Sequence, residues 1–519
     1  MFETSPKPRL FAVPPGVDFP RAVVDGLRER FRDQPPEALA RVTLYVNTRR
    51  MQRRMISLFD EGAAVLLPRI RLITDLGQDA AFADLPPAVS PLRRRLELAE
   101  VISQLLDAQP DLAPRAAIYD LADSLAGLMD EMQGEGVSPE VLRNLDVSDL
   151  SGHWQRSLTF LDAISRYFGD DSEDSPDVEA RQRRVITRLT ELWHEAPPQD
   201  PIIVAGSTGS RGATQMFMRA VARLPQGAVI LPGFDFDMPA PVWNKLEDAL
   251  TGEDHPQFRF ARLMRALDQW QVEGPKFAGI ESATAGMSLI EAPSPRAEAS
   301  AIALILREAA ETGTSAALIT PDRVLTRQVS AALDRWRIEP DDSAGRPLPL
   351  TAPGRLLRQV AELLGTKITG PDLLALLKHP LTNTGSDARG EHLRHTRDLE
   401  LEALREDMPY PTPEALMVWA EQREDRRDWA VWVGSILGEF AQTGTRPLTE
   451  HVAHVLAVAE HLCAGPVGEG SGELWEKPAG REARKVCDEL IREAPYGGSF
   501  APADFRDLFA SVLNRGEVR

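Results

Sequence analysis

Residues 201–235, PIIVAGSTGSRGATQMFMRAVARLPQGAVILPGFD, decide the fold. Ile202–Val204 and Ala228–Leu231 are apolar at every position, and a Gly/Ser/Thr loop and a run with helical spacing separate them. Strands without polar alternation are buried on both faces, and two of them joined through a helix belong in the middle of a parallel sheet. Such sheets bind ligands outside the carboxyl ends of their strands, where the connecting loops gather. The loop Gly206-Ser207-Thr208-Gly209-Ser210 stands at such an end. It lacks the lysine with which a GxxxxGKS/T loop reaches the outer phosphates of a nucleotide.

Upstream, Arg9–Val13 reads as a strand, Pro14-Pro15-Gly16 as a turn, and Asp18 as the cap of a helix running to Phe31. A strand over Val42–Val46 follows. Asn47-Thr48 then caps a helix over Arg49–Phe59, and Val65–Leu67 reads as a further short strand. This rhythm adds parallel strands to the same sheet. From about Leu76 to Glu195 the periodicity is helical only (Leu92, Leu96, Ile102; Leu121, Leu125, Leu128), which predicts an all-helical insertion.

A second βαβ module is expected from a strand at Ser288–Glu291, a helix at Arg296–Ala310, a strand at Ala316–Thr320 and a helix at Arg323–Trp336. Beyond Gly354 the pattern is helical again. The expected plan is a first α/β domain over 1–75 and 201–285, a helical insertion over 76–200, the start of a second α/β domain over 286–360, and a second helical insertion over 361–519. A sheet of so few strands is poorly stable alone. The sequence is therefore expected to be a fragment whose second sheet is completed beyond Arg519.

The chain has 519 residues, 43% hydrophobic and 26% charged, the composition of a folded protein of about three or four domains. Its net charge of -19 argues against a broad nucleic-acid-binding surface. Basic clusters are local: Arg41, Arg49, Arg50, Arg53 and Arg54 in one stretch free of acids, and Arg93–Arg95 in another. Two cysteines, Cys463 and Cys487, make neither a disulfide framework nor a metal-ligand spacing, and no metal site is expected. No apolar run approaches the roughly 18 residues that span a bilayer, so the expected compartment is the cytoplasm.

Two α/β domains, each interrupted by a helical block, is the plan of superfamily 1 helicases with their RecA-type parallel sheets. FAVPPGVDFPRAVVDGL (11–27), LYVNTRRMQRRM (44–55), LLPRIR (66–71), AGSTGSRGATQMF (205–217), ILPGFD (230–235), SPRAEASAIA (294–303) and LLALLKHPL (373–381) together resemble the N-terminal half of AddB. AddB is the helicase-like and nuclease subunit of the bacterial AddAB complexes, and the likeness is to the alphaproteobacterial type. The matches are spread over nearly the whole chain and keep the family's order.

The resemblance implies a heterodimer with an AddA-type helicase-nuclease subunit that supplies the ATP- and magnesium-dependent motor. It further implies a DNA-binding role in double-strand break repair by homologous recombination, scanning single-stranded DNA and meeting duplex ends. An iron-sulfur cluster is expected only in a C-terminal nuclease domain absent from this sequence. No cofactor and no catalysis are expected of this stretch itself.

Pro14, Pro15, Gly16 and Asp18 stand where such helicases carry their phosphate loop. Prolines donate no N–H, Asp18 repels phosphate, and no GKS/T follows, so the ATPase site is read as inactive. Asn47, Arg49, Arg50 and Arg53 follow a strand end and could pair with DNA phosphates; the alternative is a solvated helix face. Ser207, Thr208 and Ser210 could offer hydroxyls and N–H groups to a phosphate, or only close a tight turn. Arg296 and Glu298 open the first helix of the second α/β domain and read as capping or interdomain residues. Trp154, Trp193, Trp243, Trp270 and Trp336 could stack bases, yet sit in helical patterns that read as core. The rival function is a nucleotide-dependent enzyme of P-loop type, using the Gly206–Ser210 loop with Asp235 or Asp237 holding magnesium.

Overall fold

A computed structural model describes residues 2, 7–62, 64–143, 176–246, 255–274, 284–343, 345–441 and 444–518. The chain divides into two compact units, 1–283 and 284–519.

The first unit is built on five parallel strands, β1 (Leu10–Val13), β2 (Thr43–Val46), β3 (Arg69–Leu72), β4 (Ile202–Ala205) and β5 (Gly227–Pro232), in the order β1-β5-β4-β2-β3. The stretch 201–235 thus supplies two neighbouring central strands, with Ile202 opposite Gly227 on one side and Thr43 on the other. All four residues of β4 are buried. On one face, Leu44, Val46 and Ile203 meet helices α1 (Phe19–Arg30) and α2 (Arg49–Asp60) through Val23, Leu27, Met55 and Phe59. On the other, Tyr45, Val204 and Val229 meet α5 (Val178–Glu195), α6 (Gly212–Arg223) and α7 (Phe258–Leu267) through Val185, Ile186, Phe217 and Phe260. Alternate residues of each strand serve opposite layers, as the pleat requires.

Two expectations for this unit are corrected. The third strand is Arg69–Leu72, and Val65, Leu66 and Leu67 are exposed. Pro68 cannot donate to a ladder, so pairing begins one residue later, where the Arg69 N–H donates to Val42 O at 2.8 Å. Helix α5, assigned from the sequence to the helical insertion, also packs on the sheet. The separate helical cluster is made by α3 (Pro91–Ala108) and α4 (Ile118–Glu135) through Leu98, Ile102, Leu125 and Met129. It is tied to the start of α5 by Asp177, which accepts from Arg94 at 2.6 Å and from the Gln133 side chain at 3.0 Å.

In the second unit, α8 (Pro295–Thr312) and α9 (Arg323–Leu333) form as expected and pack through Ala299, Ala303, Val329 and Leu333. The flanking strands do not. Residues 288–291 and 316–320 carry no ladder hydrogen bonds, and Leu289 and Ile319 are 87% and 94% exposed. A β-prone segment becomes a strand only when a neighbour completes its hydrogen bonds, and none of the described residues does so here.

The rest of this unit is helical: α10 (Ala352–Leu363), α11 (Gly370–Leu377), α12 (Arg389–Leu399), α13 (Pro413–Ala420), α14 (Arg427–Glu439), α15 (Leu448–Ala464), α16 (Lys477–Glu493) and α17 (Pro502–Leu513). Two short antiparallel pairs, Arg346–Pro347 with Glu517–Val518 and Arg446–Pro447 with Ser499–Phe500, pin its segments together.

Buried histidines give this unit a pH dependence. The indole N–H of Trp429 can only donate, so at 3.0 Å it fixes His392 Nδ1 as an acceptor, and Nε2–H donates to Leu377 O at 2.7 Å. Burial lowers the affinity of this ring for a proton, and lowers that of His379 to a pKa of about 4. An unfolded chain takes up these protons near the ordinary value of 6.5, while the folded one resists. Stability is therefore complete above 6.5 and falls progressively toward pH 4. Thermal melts between pH 7 and 5 are expected to show a falling midpoint, with a shallower fall in His379→Gln. A midpoint constant over that range contradicts this.

Candidate nucleic-acid interface

β2 and β4 are neighbours, and the helices that follow them, α2 and α6, lie on opposite faces of the sheet. The chain therefore parts between these two strands, opening a crevice at their carboxyl ends, the usual ligand position in such sheets. The loops that meet there are Asn47-Thr48 and Gly206–Ser210. Gly206 has φ +82°, and a Cβ on it would lie 3.2 Å from Met51 and from Phe19 and 3.6 Å from Asn47 Oδ1. A left-handed backbone and a crowded position both select glycine. Gly206→Ala is expected to destabilise the first unit by roughly 1–2 kcal/mol, read as a lowered thermal midpoint; an unchanged midpoint contradicts the crowding.

The candidate loop residues do not behave alike. Ser207 is buried, and its hydroxyl accepts from Gly209 N–H at 3.2 Å, so it closes the turn. Thr208 and Ser210 are exposed. Ser210 and Arg211 border a cleft of about 600 Å³ that also contains Asp130, Glu131, Glu135 and Glu179 together with Arg259 and Arg262, the latter 3.7 Å from Glu135. Arg211 is paired with Glu179, and burial, followed by Asp177 and Glu179, raises the Asp130 pKa. A phosphate approaching α6 from this side meets carboxylates. Gly212 also presses on α4, since a Cβ there would lie 2.5 Å from Gly134 O.

The arginines of α2 separate in the same way. Arg54 is within 3.4 Å of Asp18 and 3.7 Å of Glu61. Arg49, Arg50 and Arg53 are exposed and form no ion pair with any described residue. Arg49 and Arg50 are the first two residues of α2, whose cap is the Thr48 hydroxyl accepting from Met51 N–H at 3.2 Å. The N-terminus of a helix is its positive end, so each cation there costs about 0.3–1 kcal/mol. Asn47 lies exposed just before them. Together they make a positive, uncompensated rim on the switch-point crevice.

The connection after β1 is built oppositely. Pro14 is buried, Gly16 turns at φ +83°, and Asp18 caps α1 by accepting from Arg21 N–H at 3.3 Å. The same carboxylate lies 3.4 Å from Arg54 and 3.6 Å from Arg21. The position a phosphate takes at a helix N-terminus is filled by the chain's own anion. Among the magnesium candidates, Asp235 Oδ1 accepts from Asp237 N–H at 3.0 Å, closing its own turn.

Arg296 and Glu298 lie exposed in the first turn of α8, where Ser294 caps the helix through Ala297 N–H at 3.2 Å. Trp193 and Trp243 pack against the sheet core, and Trp336 lies under Arg307 at 4.8 Å. Trp270, read as core, is 45% exposed, because it follows the left-handed residue Asp268 that ends α7. Trp154 lies outside the described residues.

No model of a known protein family matches the chain, and no curated protein sequence matches it.

Proposed function

We propose that the chain is a non-motor, helicase-like subunit that guides single-stranded DNA in a double-strand break repair helicase-nuclease, as its resemblance to the N-terminal half of AddB implies. The observation that carries this reading is the set Arg49 and Arg50 at the positive end of α2 and Arg53 one turn on, without ion pairs among the described residues beside the switch-point crevice, in a chain of net charge -19. Folding alone gives no reason to place cations there, whereas a phosphodiester strand does. Asn47 and Thr208 are exposed beside them and can donate to phosphate or base edges.

The nucleotide-enzyme alternative, which uses the Gly206–Ser210 loop, is disfavoured because the buried Ser207 hydroxyl closes its own turn onto Gly209 N–H, Asp235 likewise accepts from Asp237 N–H, and Glu135 and Glu179 share the cleft with Ser210. The motor function then belongs to an AddA-type partner, and this unit contributes a track for the strand. Photocrosslinking with a 4-thiothymidine oligonucleotide tests the assignment. Adducts are expected in the segment 47–54 and the loop 206–210; adducts absent from both contradict it.

A further inference from the structure

At the opposite end of the same unit, outside the amino ends of β4 and β5, a cleft of about 450 Å³ opens between α5 and α6. Trp193, Met216, Leu224 and Pro225 form its apolar wall, and Arg219 and Arg223 stand on it one helical turn apart. Two like charges at this spacing on one helix repel. No acid lines the cleft among the described residues, and Arg219 has no carboxylate partner there. Arg223 is fixed by donating to Ala266 O at 3.1 Å, which aligns one edge of its guanidinium and leaves the rest open. Burial, followed by the neighbouring Arg223, holds the Arg219 guanidinium below its ordinary value. The fold thus keeps a half-buried cation against an apolar surface without an internal counter-ion.

We propose that this cleft is a docking site for an acidic peptide segment of a partner protein, one apolar side chain seated against Met216 and Leu224 and the adjacent carboxylates on Arg219 and Arg223. Charge complementarity favours an anionic ligand, and the wall decides its class. The inner side of Trp193 is taken by Phe217, with ring centroids 6.1 Å apart. The Thr190 hydroxyl already donates to Ile186 O at 2.8 Å. A nucleobase could reach Arg219, Arg223 and His194 with one edge but would press its remaining polar groups on Met216, Leu224 and Pro225, and unpartnered polar groups are costly to bury. An aliphatic or aromatic side chain carries no such penalty. Bidentate guanidinium–carboxylate pairing then supplies direction.

The test uses the full chain and a fluorescein-labelled peptide Asp-Asp-Glu-Leu-Phe, followed by anisotropy. Saturable binding is expected, weakened by roughly tenfold or more in Arg219→Glu, as the loss of a charge-assisted contact implies. Arg219→Gln should weaken it less, and its unchanged thermal midpoint separates lost contact from lost fold. The peptide Asp-Asp-Glu-Ser-Ser should bind markedly more weakly, and substitution of Arg49, Arg50 and Arg53 should change nothing, which makes the outcome independent of the DNA reading. Equal affinity in Arg219→Glu, equal affinity for the serine peptide, or displacement of the peptide by oligothymidine overturns the proposal.

Discussion

Replacing Arg49, Arg50 and Arg53 together by glutamate is expected to lower affinity for single-stranded DNA by about a hundredfold or more at low salt while leaving the protein equally or more stable. The binding loss follows from three phosphate contacts removed and three repulsive charges added. With alanine in place of glutamate, the slope of log affinity against log salt should shrink by about 2, since each contact on a single strand contributes roughly 0.7. The stability effect has the opposite sign. All three side chains are exposed and outside the ion pairs of the fold, and Thr48 still caps the helix. Acids at positions 49 and 50, in the first turn, suit the helix dipole by about 0.3–1 kcal/mol each. A surface that is locally wrong for folding and right for an anion is the mark of a binding site. Filter binding over a salt series, paired with thermal melts, reads both. An unchanged slope removes the patch from the DNA reading, and a lowered melting point removes the electrostatic explanation for its cost.

Glu402→Ala is expected to destabilise the second unit by about 3 kcal/mol, through what it leaves behind. Arg426 is 1% exposed, and its guanidinium donates to Glu402 at 2.6 and 2.9 Å and to Asp398 at 3.1 Å. It also lies 4.4 Å over the ring of Trp419, whose indole N–H donates to Glu402 at 3.0 Å. Removing the carboxylate leaves a buried cation with one acid and an indole donor without its acceptor. Hydrogen bonding to Arg426 holds the Glu402 pKa below its ordinary value of 4.5. Because the folded value is the lower one, this contribution is complete above 4.5 and is lost as pH falls through the depressed value. That window lies below the onset of the histidine effect, so acid melts of Glu402→Gln and His379→Gln should depart from wild type in different ranges. A chemical denaturation midpoint unchanged in Glu402→Ala contradicts the buried-cation account.

The first sheet was legible because its signals are local. Ile202–Val204 and Ala228–Leu231 are continuously apolar, and Asp18 and Thr48 are efficient caps that the structure uses as such. The third strand was misplaced by a few residues because Val65–Leu67 is more apolar than Arg69–Leu72. Register depends on which N–H groups can reach β2, and Pro68 rules itself out. That 288–291 and 316–320 do not form strands could not be read from propensity, which reports what a segment tolerates and not whether a neighbour exists.

At the candidate site, residue types drew attention to Asn47–Arg54 and Gly206–Ser210, two loops that follow neighbouring strands of the sheet. They could not separate Arg54, held by Asp18 and Glu61, from its free neighbours, nor show that Ser207 faces inward. Those distinctions depend on contacts across sequence separations of tens of residues. The Arg219/Arg223 pair was likewise invisible, since its lack of acidic neighbours is a property of the fold. Its one sequence signal was a like-charged pair four residues apart on an otherwise apolar helix face.

Calorimetric titration of the purified chain with ATP and magnesium tests the central claim most directly: the crevice of the first sheet serves a strand of nucleic acid and not a nucleotide. No saturable binding is expected into the millimolar range, because Asp18 occupies the first helix N-terminus and carboxylates border the second. Micromolar, magnesium-dependent affinity, abolished by Ser207→Ala and by Asp235→Ala, would contradict it.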